Sequence, residues 1–153
     1  MSKKLSKQNE QLIKNINAVM EDKESQTDLI QNLIHNYSLE TQFGELIVRK
    51  FVLYSNNDYE TFKTYVEKLY HSFQQIQKES DVALSLHNRF EFHQMLELTF
   101  MNVIRKMKAG QVKNVSSYLY IAFSNCFRSI ARIIKNEQSN SLNSLIDYTE
   151  NEH

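Results

Sequence analysis

Residues 107–136 read MKAGQVKNVSSYLYIAFSNCFRSIARIIKN, a span that holds a helix end, a turn and a helix start. Gly110 follows the last apolar position of a periodic run, where glycine enters a left-handed capping conformation without a Cβ penalty. Asn114 then offers a side-chain oxygen of the kind that caps a helix N-terminus, so a helix is predicted from Val115 to about Asn136. Leu119, Ala122, Phe123, Cys126, Ile130 and Ile133 recur at helical spacing and are assigned to its buried side. Cys126 is the single cysteine, which excludes an internal disulfide and suits a small buried hydrophobe.

The rest of the chain follows the same pattern. Its 153 residues include no proline and only two glycines, which removes most of the punctuation that strands and tight turns need. A chain of this length buries roughly two-thirds of its unfolded surface, enough for one core. The expected architecture is all-α, a single-domain helical bundle of five to six helices spanning residues 1–153. A first helix is predicted over Leu5 to Met20, with Leu5, Leu12, Ile16 and Val19 on a thin apolar stripe. Ser25 or Thr27 is expected to cap a second helix carrying Leu29, Ile30, Leu33, Ile34 and Tyr37. Ser38 opens a third through Phe43, Ile47, Phe51 and Tyr54, with Gly44 inside it as a tolerated residue or a point of close approach.

After the polar break SNND at 55–58, Asn57 with Glu60 suggests a capping pair for a fourth helix. There Phe62, Val66, Leu69, Phe73 and Ile76 alternate in steps of four and three, a heptad seam. Such a seam packs inside the chain's own bundle or joins a second copy as a homodimer. A connector over 78–88 leads to a fifth helix, capped by Asn88 and carrying Met95, Leu96, Phe100, Val103, Ile104 and Met107. Residues 137–153 hold four acidic residues and neither lysine nor arginine, and read as a flexible acidic tail with one short helix at Leu142 to Tyr148.

Charge is balanced overall, with 18 basic and 18 acidic residues, but unevenly placed. Between Leu98 and Asn136 stand Arg105, Lys106, Lys108, Lys113, Arg128, Arg132 and Lys135 without one Asp or Glu. Such asymmetry marks a local anion-binding face. Arg128, Arg132 and Lys135, four and three apart, share one helix face. Seven phosphate contacts would give a log-log salt slope of about −6. Asn114, Tyr118, Tyr120 and Asn125 add amides and rings suited to bases or to a protein partner. The competing explanation is cations that complement a helix dipole at a solvated surface.

No reaction motif is present: no phosphate-binding glycine loop, no nucleophile elbow and no cysteine pair. The five histidines form no metal pattern, because His93 with Glu91 and Glu97 lacks the repeated Glu-x-x-His elements of a bundle site. No catalytic residue, cofactor or metal is assigned. The N-terminus lacks a secretory apolar core, and the longest apolar run, Tyr118 to Phe123, is far short of a membrane span. A cytoplasmic protein without a membrane partner is expected.

Two resemblances touch the same stretch. Met95 to Lys135 resembles region 2 of bacterial sigma factors through Met95, Phe100, Val103 and Ile104 on the first helix and Tyr118, Leu119 and Asn125 on the second. Glu97 and Leu98 stand where that family usually has Gln-Glu, and Phe123 where it has Ala. The turn and helix at Lys113, Asn114, Tyr118, Leu119 and Tyr120 are also similar to a C-terminal segment of DnaD-like replication proteins of Gram-positive plasmids and phages. The first resemblance implies contact with RNA polymerase and a melted promoter strand, the second a replication complex. The expectation is therefore a non-enzymatic DNA-binding accessory or regulatory protein of replication or transcription. Fifteen asparagines and no proline suit an AT-rich bacterium or its mobile elements. The alternatives are a sigma-like polymerase-binding factor and a helical protein-interaction module that binds no nucleic acid.

Overall fold

The computed structural model describes residues 2–151. Six helices follow in order: α1 Ser2–Asn36, α2 Leu39–Phe43, α3 Glu45–Tyr54, α4 Tyr59–Ser80, α5 Phe90–Lys108 and α6 Val115–Asn151. No strand occurs among the described residues, so the expected all-α bundle is the architecture found. α4 lies along α6, α5 packs on both α3 and α6, and the last turns of α1 close over α4.

Aromatic rings hold the centre. Phe51 of α3 meets Phe100 at 4.7 Å, Tyr65 at 5.5 Å, Phe123 at 6.1 Å and Phe62 at 6.3 Å between centroids, joining four helices. Phe43 of α2 joins three helices one layer along, against Tyr70 and Phe73 of α4 and Phe127 of α6. Most of these pairs are edge-to-face, the geometry that ring quadrupoles favour. On α6, Leu119, Phe123, Phe127, Ile130 and Ile134 are buried, while Ile133, assigned from the sequence to the core, is exposed. The buried face is turned by one position: Ile134 is buried, and so is Ala131, which borders the groove beside Ile76 of α4.

The heptad seam belongs to this core. Phe62, Val66, Leu69 and Ile76 are buried and Phe73 is packed against the cluster, so the seam is closed inside the chain's own bundle. The physical reason is position: α4 is covered along its apolar face by α1, α3 and α6.

Several boundaries differ from those expected. α1 is one uninterrupted helix of 35 residues: the Thr27 hydroxyl, instead of capping a new start, shares its one hydrogen between the Lys23 carbonyl at 3.0 Å and Asn57 Oδ1 at 2.9 Å. Asp58, not Asn57, caps α4, its carboxylate accepting from the Thr61 amide at 3.1 Å. Asn57 takes a left-handed conformation and donates to the Lys23 carbonyl. Ser38 and Asn88 are also left-handed and supply no side-chain cap; α5 starts after Arg89. Gly44 separates α2 from α3 at φ 95°, and a Cβ there would sit 2.5 Å from His93 Cγ, so the glycine marks a close approach of α5. His93 Nε2 lies 2.7 Å from the Leu86 carbonyl, tying that ring into the scaffold.

Between α4 and α5 the chain runs Asp81 to Arg89 with Val82, Leu84 and Leu86 buried and their neighbours Ala83, Ser85 and His87 exposed. This alternation of period two seals the bundle beside the end of α4, where the Leu84 amide donates to Gln77 Oε1 at 3.1 Å. Residues 137–151 continue α6 rather than forming a separate short helix. Glu137 is held at the bundle by Arg89 through paired bonds of 2.7 and 3.1 Å.

Candidate nucleic-acid interface

The corner between α5 and α6 is built by local chemistry. Gly110, at φ 72°, accepts the left-handed turn; its amide donates to Met107 O and that of Gln111 to Lys106 O, closing the end of α5. Asn114 Oδ1 accepts from the Ser117 amide at 3.1 Å and starts α6. Both features are as the sequence predicts, and both bear on recognition: the Asn114 side chain is engaged in holding the turn.

All seven cations of the acid-free segment are exposed, but they do not point one way. Arg128, Arg132 and Lys135 share the outer side of α6 and border a groove with Ile76, Glu79 and Ser80 of α4. Lys106 of α5 reaches across to α6, donating to the Tyr118 hydroxyl at 2.8 Å with its ammonium 5.5 Å from the ring centroid. A second groove there is lined by Thr99, Asn102, Lys106, Tyr118, Ile121 and Asn125. Asn125 joins the two, because its Oδ1 accepts from Arg128 at 3.1 Å. Tyr120 is half-buried and turned from this ridge by its place on the helix.

Two members stand apart. Lys108 is drawn over the Tyr54 ring of α3 at 5.0 Å, and Arg105 occupies the outer stripe of α5 with Leu98. Lys113 lies in the turn itself. The acid-free segment is also not acid-free in space: Glu79, 49 residues away in sequence, pairs with Arg128 at 3.3 Å. That contact comes from α4 lying along α6, and nothing in the local sequence signals it.

Cys126 is buried, and burial raises its thiol pKa, with a smaller opposing contribution from the Thr99 hydroxyl. It packs as a core residue, in surroundings that disfavour the thiolate. Among the described residues no three His, Cys, Asp or Glu side chains converge as a metal site would require, and no helix is long and apolar enough to cross a membrane. No family model, curated protein or solved structure matches the chain.

Proposed function

We propose that the chain is a non-enzymatic DNA-binding accessory protein of replication or transcription, bound through the outer face of α6 and the adjoining end of α5. The observation that carries the reading is the ridge Arg128, Arg132 and Lys135, exposed along one side of a helix and continued by Asn125 and the Lys106–Tyr118 pair. Cations on this spacing meet successive phosphates, and the amides of Asn102 and Asn125 beside the Tyr118 ring offer contacts to bases. Arg128 is shared with Glu79, so four phosphate contacts are a better count than seven, and the salt slope becomes about −3 to −4. A sigma-like factor bound to RNA polymerase would use the same corner, and the half-buried Met95 and Tyr118 would then face protein.

Fluorescence anisotropy with labelled single- and double-stranded DNA, at low and moderate salt, tests the reading. Binding at low salt that weakens with that slope, and is lost in Arg132→Glu/Lys135→Glu, is the expected result. Absence of binding at low salt ends the nucleic-acid version, and a pull-down with polymerase core then separates the sigma-like reading from a module bound to other proteins.

A further inference from the structure

The N-terminal part of α1 is a helix without a partner. Every residue from 6 to 25 is exposed, and the first contacts with the bundle come at Lys23, whose carbonyl accepts from Asn57, and Gln26, which accepts from the Tyr59 amide. Because Gln26 meets the first residue of α4, the preceding residues extend past that end of the bundle as an arm about 30 Å long. The arm carries a stripe of large apolar side chains: Leu12, Ile13, Ile16, Val19 and Met20, each 49–68 % exposed. Leu12, Ile16 and Val19 keep the four-three step of a two-helix seam, with Ile13 and Met20 broadening it. Helices take most of their stability from the packing of an apolar face, and this face has none within its own chain.

Charge along the arm says what covers it. Residues 3–14 hold Lys3, Lys4, Lys7 and Lys14 against the single acid Glu10; residues 21–28 hold Glu21, Asp22, Glu24 and Asp28 against the single base Lys23. The arm is therefore complementary to itself reversed. We propose that two copies of the chain dimerise through antiparallel pairing of their α1 arms, with the two-fold axis near Ile16. The basic half of each arm then lies beside the acidic half of the other, and the five apolar side chains of each face one another. The interface is isologous and closes on itself, and the two bundles sit at opposite ends of the pair, clear of each other. Parallel pairing would stack the lysines of one end and the acids of the other. The far end of α6 cannot cover the arm in the same molecule, because α6 runs parallel to α4: Phe123 shares the Phe51 ring with Phe62 and Tyr65 near the start of α4, Phe127 meets Phe73, Arg128 pairs with Glu79 near its end, and α6 leaves at the other end of the bundle.

The test is the mass of the full chain by light scattering and sedimentation across a concentration series. The expected result is a monomer–dimer equilibrium that Ile16→Glu/Val19→Glu shifts to monomer by at least tenfold in Kd. That variant should keep its helical signal and melting transition at low concentration, since neither side chain touches the core. Lys7→Glu/Lys14→Glu should weaken the dimer at low salt, and adding Glu21→Lys/Glu24→Lys to the same chain should restore it. A wild-type chain that stays monomeric at about 100 times the concentration of an ordinary micromolar dimer overturns the proposal, and so does a dimer that survives Ile16→Glu/Val19→Glu. If the four-fold charge-reversed chain pairs with wild type in preference to itself, the arms are parallel and the antiparallel arrangement is wrong.

Discussion

Two apolar stripes with the same four-three step have opposite fates in this molecule. The stripe of α4, Phe62 to Ile76, is closed inside the bundle, whereas that of α1, Leu12 to Val19, stands in solvent. What separates them is neighbours. The α4 stripe carries two phenylalanines and is flanked by Tyr65 and Tyr70, and its surface meets α3, α6 and α1 at once. The α1 stripe is narrow and aliphatic, lies among Lys, Gln and Asn, and extends past the end of α4. Spacing tells which side of a helix wants cover, but not where the cover comes from.

Leu69→Lys probes the buried stripe and carries the largest expected effect. Leu69 is 1 % exposed, and an unpaired ammonium there should cost about 4 kcal/mol or more, seen as loss of the cooperative thermal transition. A folded variant of near wild-type stability would mean that α4 is not covered as described. Gly44→Ala comes next. It forces a side chain into φ 95° and against His93, and a loss of about 3 kcal/mol in denaturant unfolding is expected.

Arg89 sits on the boundary between bundle and projecting helix, and its effect is smaller. Its guanidinium bonds Glu137 and Glu91 and lies 4.3 Å from the Phe92 ring centroid, and the contact with Arg89 holds Glu91 below the ordinary carboxylate range. A lowered folded-state pKa contributes stability above the unfolded value, which is lost as pH falls through the folded one. Melting temperatures of wild type and Arg89→Ala should therefore differ at pH 7 and converge as pH falls from about 5 to about 3. The smallest effect belongs to the exposed stripe: Ile16→Lys should shift unfolding of the dilute protein by no more than about 0.5 kcal/mol. A large loss there would show that the arm packs on its own bundle.

Features governed by neighbouring residues were legible in the sequence, and features made by distant ones were not. Gly110 and Asn114 act within a turn, and Cys126 is surrounded in sequence by the apolar residues that bury it, so each had its signal close at hand. Ser25 and Thr27 carry the chemistry of a cap, but Asn57, brought in from the α3–α4 turn, takes the Thr27 hydroxyl and α1 runs on. Val82, Leu84 and Leu86 alternate plainly, yet three positions inside a polar connector are too few to separate from chance. At the candidate interface the trio on α6 could be read from its spacing. The reach of Lys106 to Tyr118 and the neutralising Glu79 could not, because both depend on how α4, α5 and α6 lie together. The sigma-like and replication-like patterns share this limit. Phe100, Val103, Ile104 and Leu119, which carry much of them, are buried core positions that packing alone would select.

The two long helices also govern how the molecule moves through water. A compact chain of 153 residues has a radius of gyration of about 15 Å. Here α1 overhangs one end of the bundle and α6 the other, so the particle is a spindle with greater drag than a sphere of its mass. Even a single copy should elute early from a sizing column, at the position of a larger globule. Elution volume alone therefore imitates a doubled mass, and only a shape-independent weighing distinguishes one spindle from two.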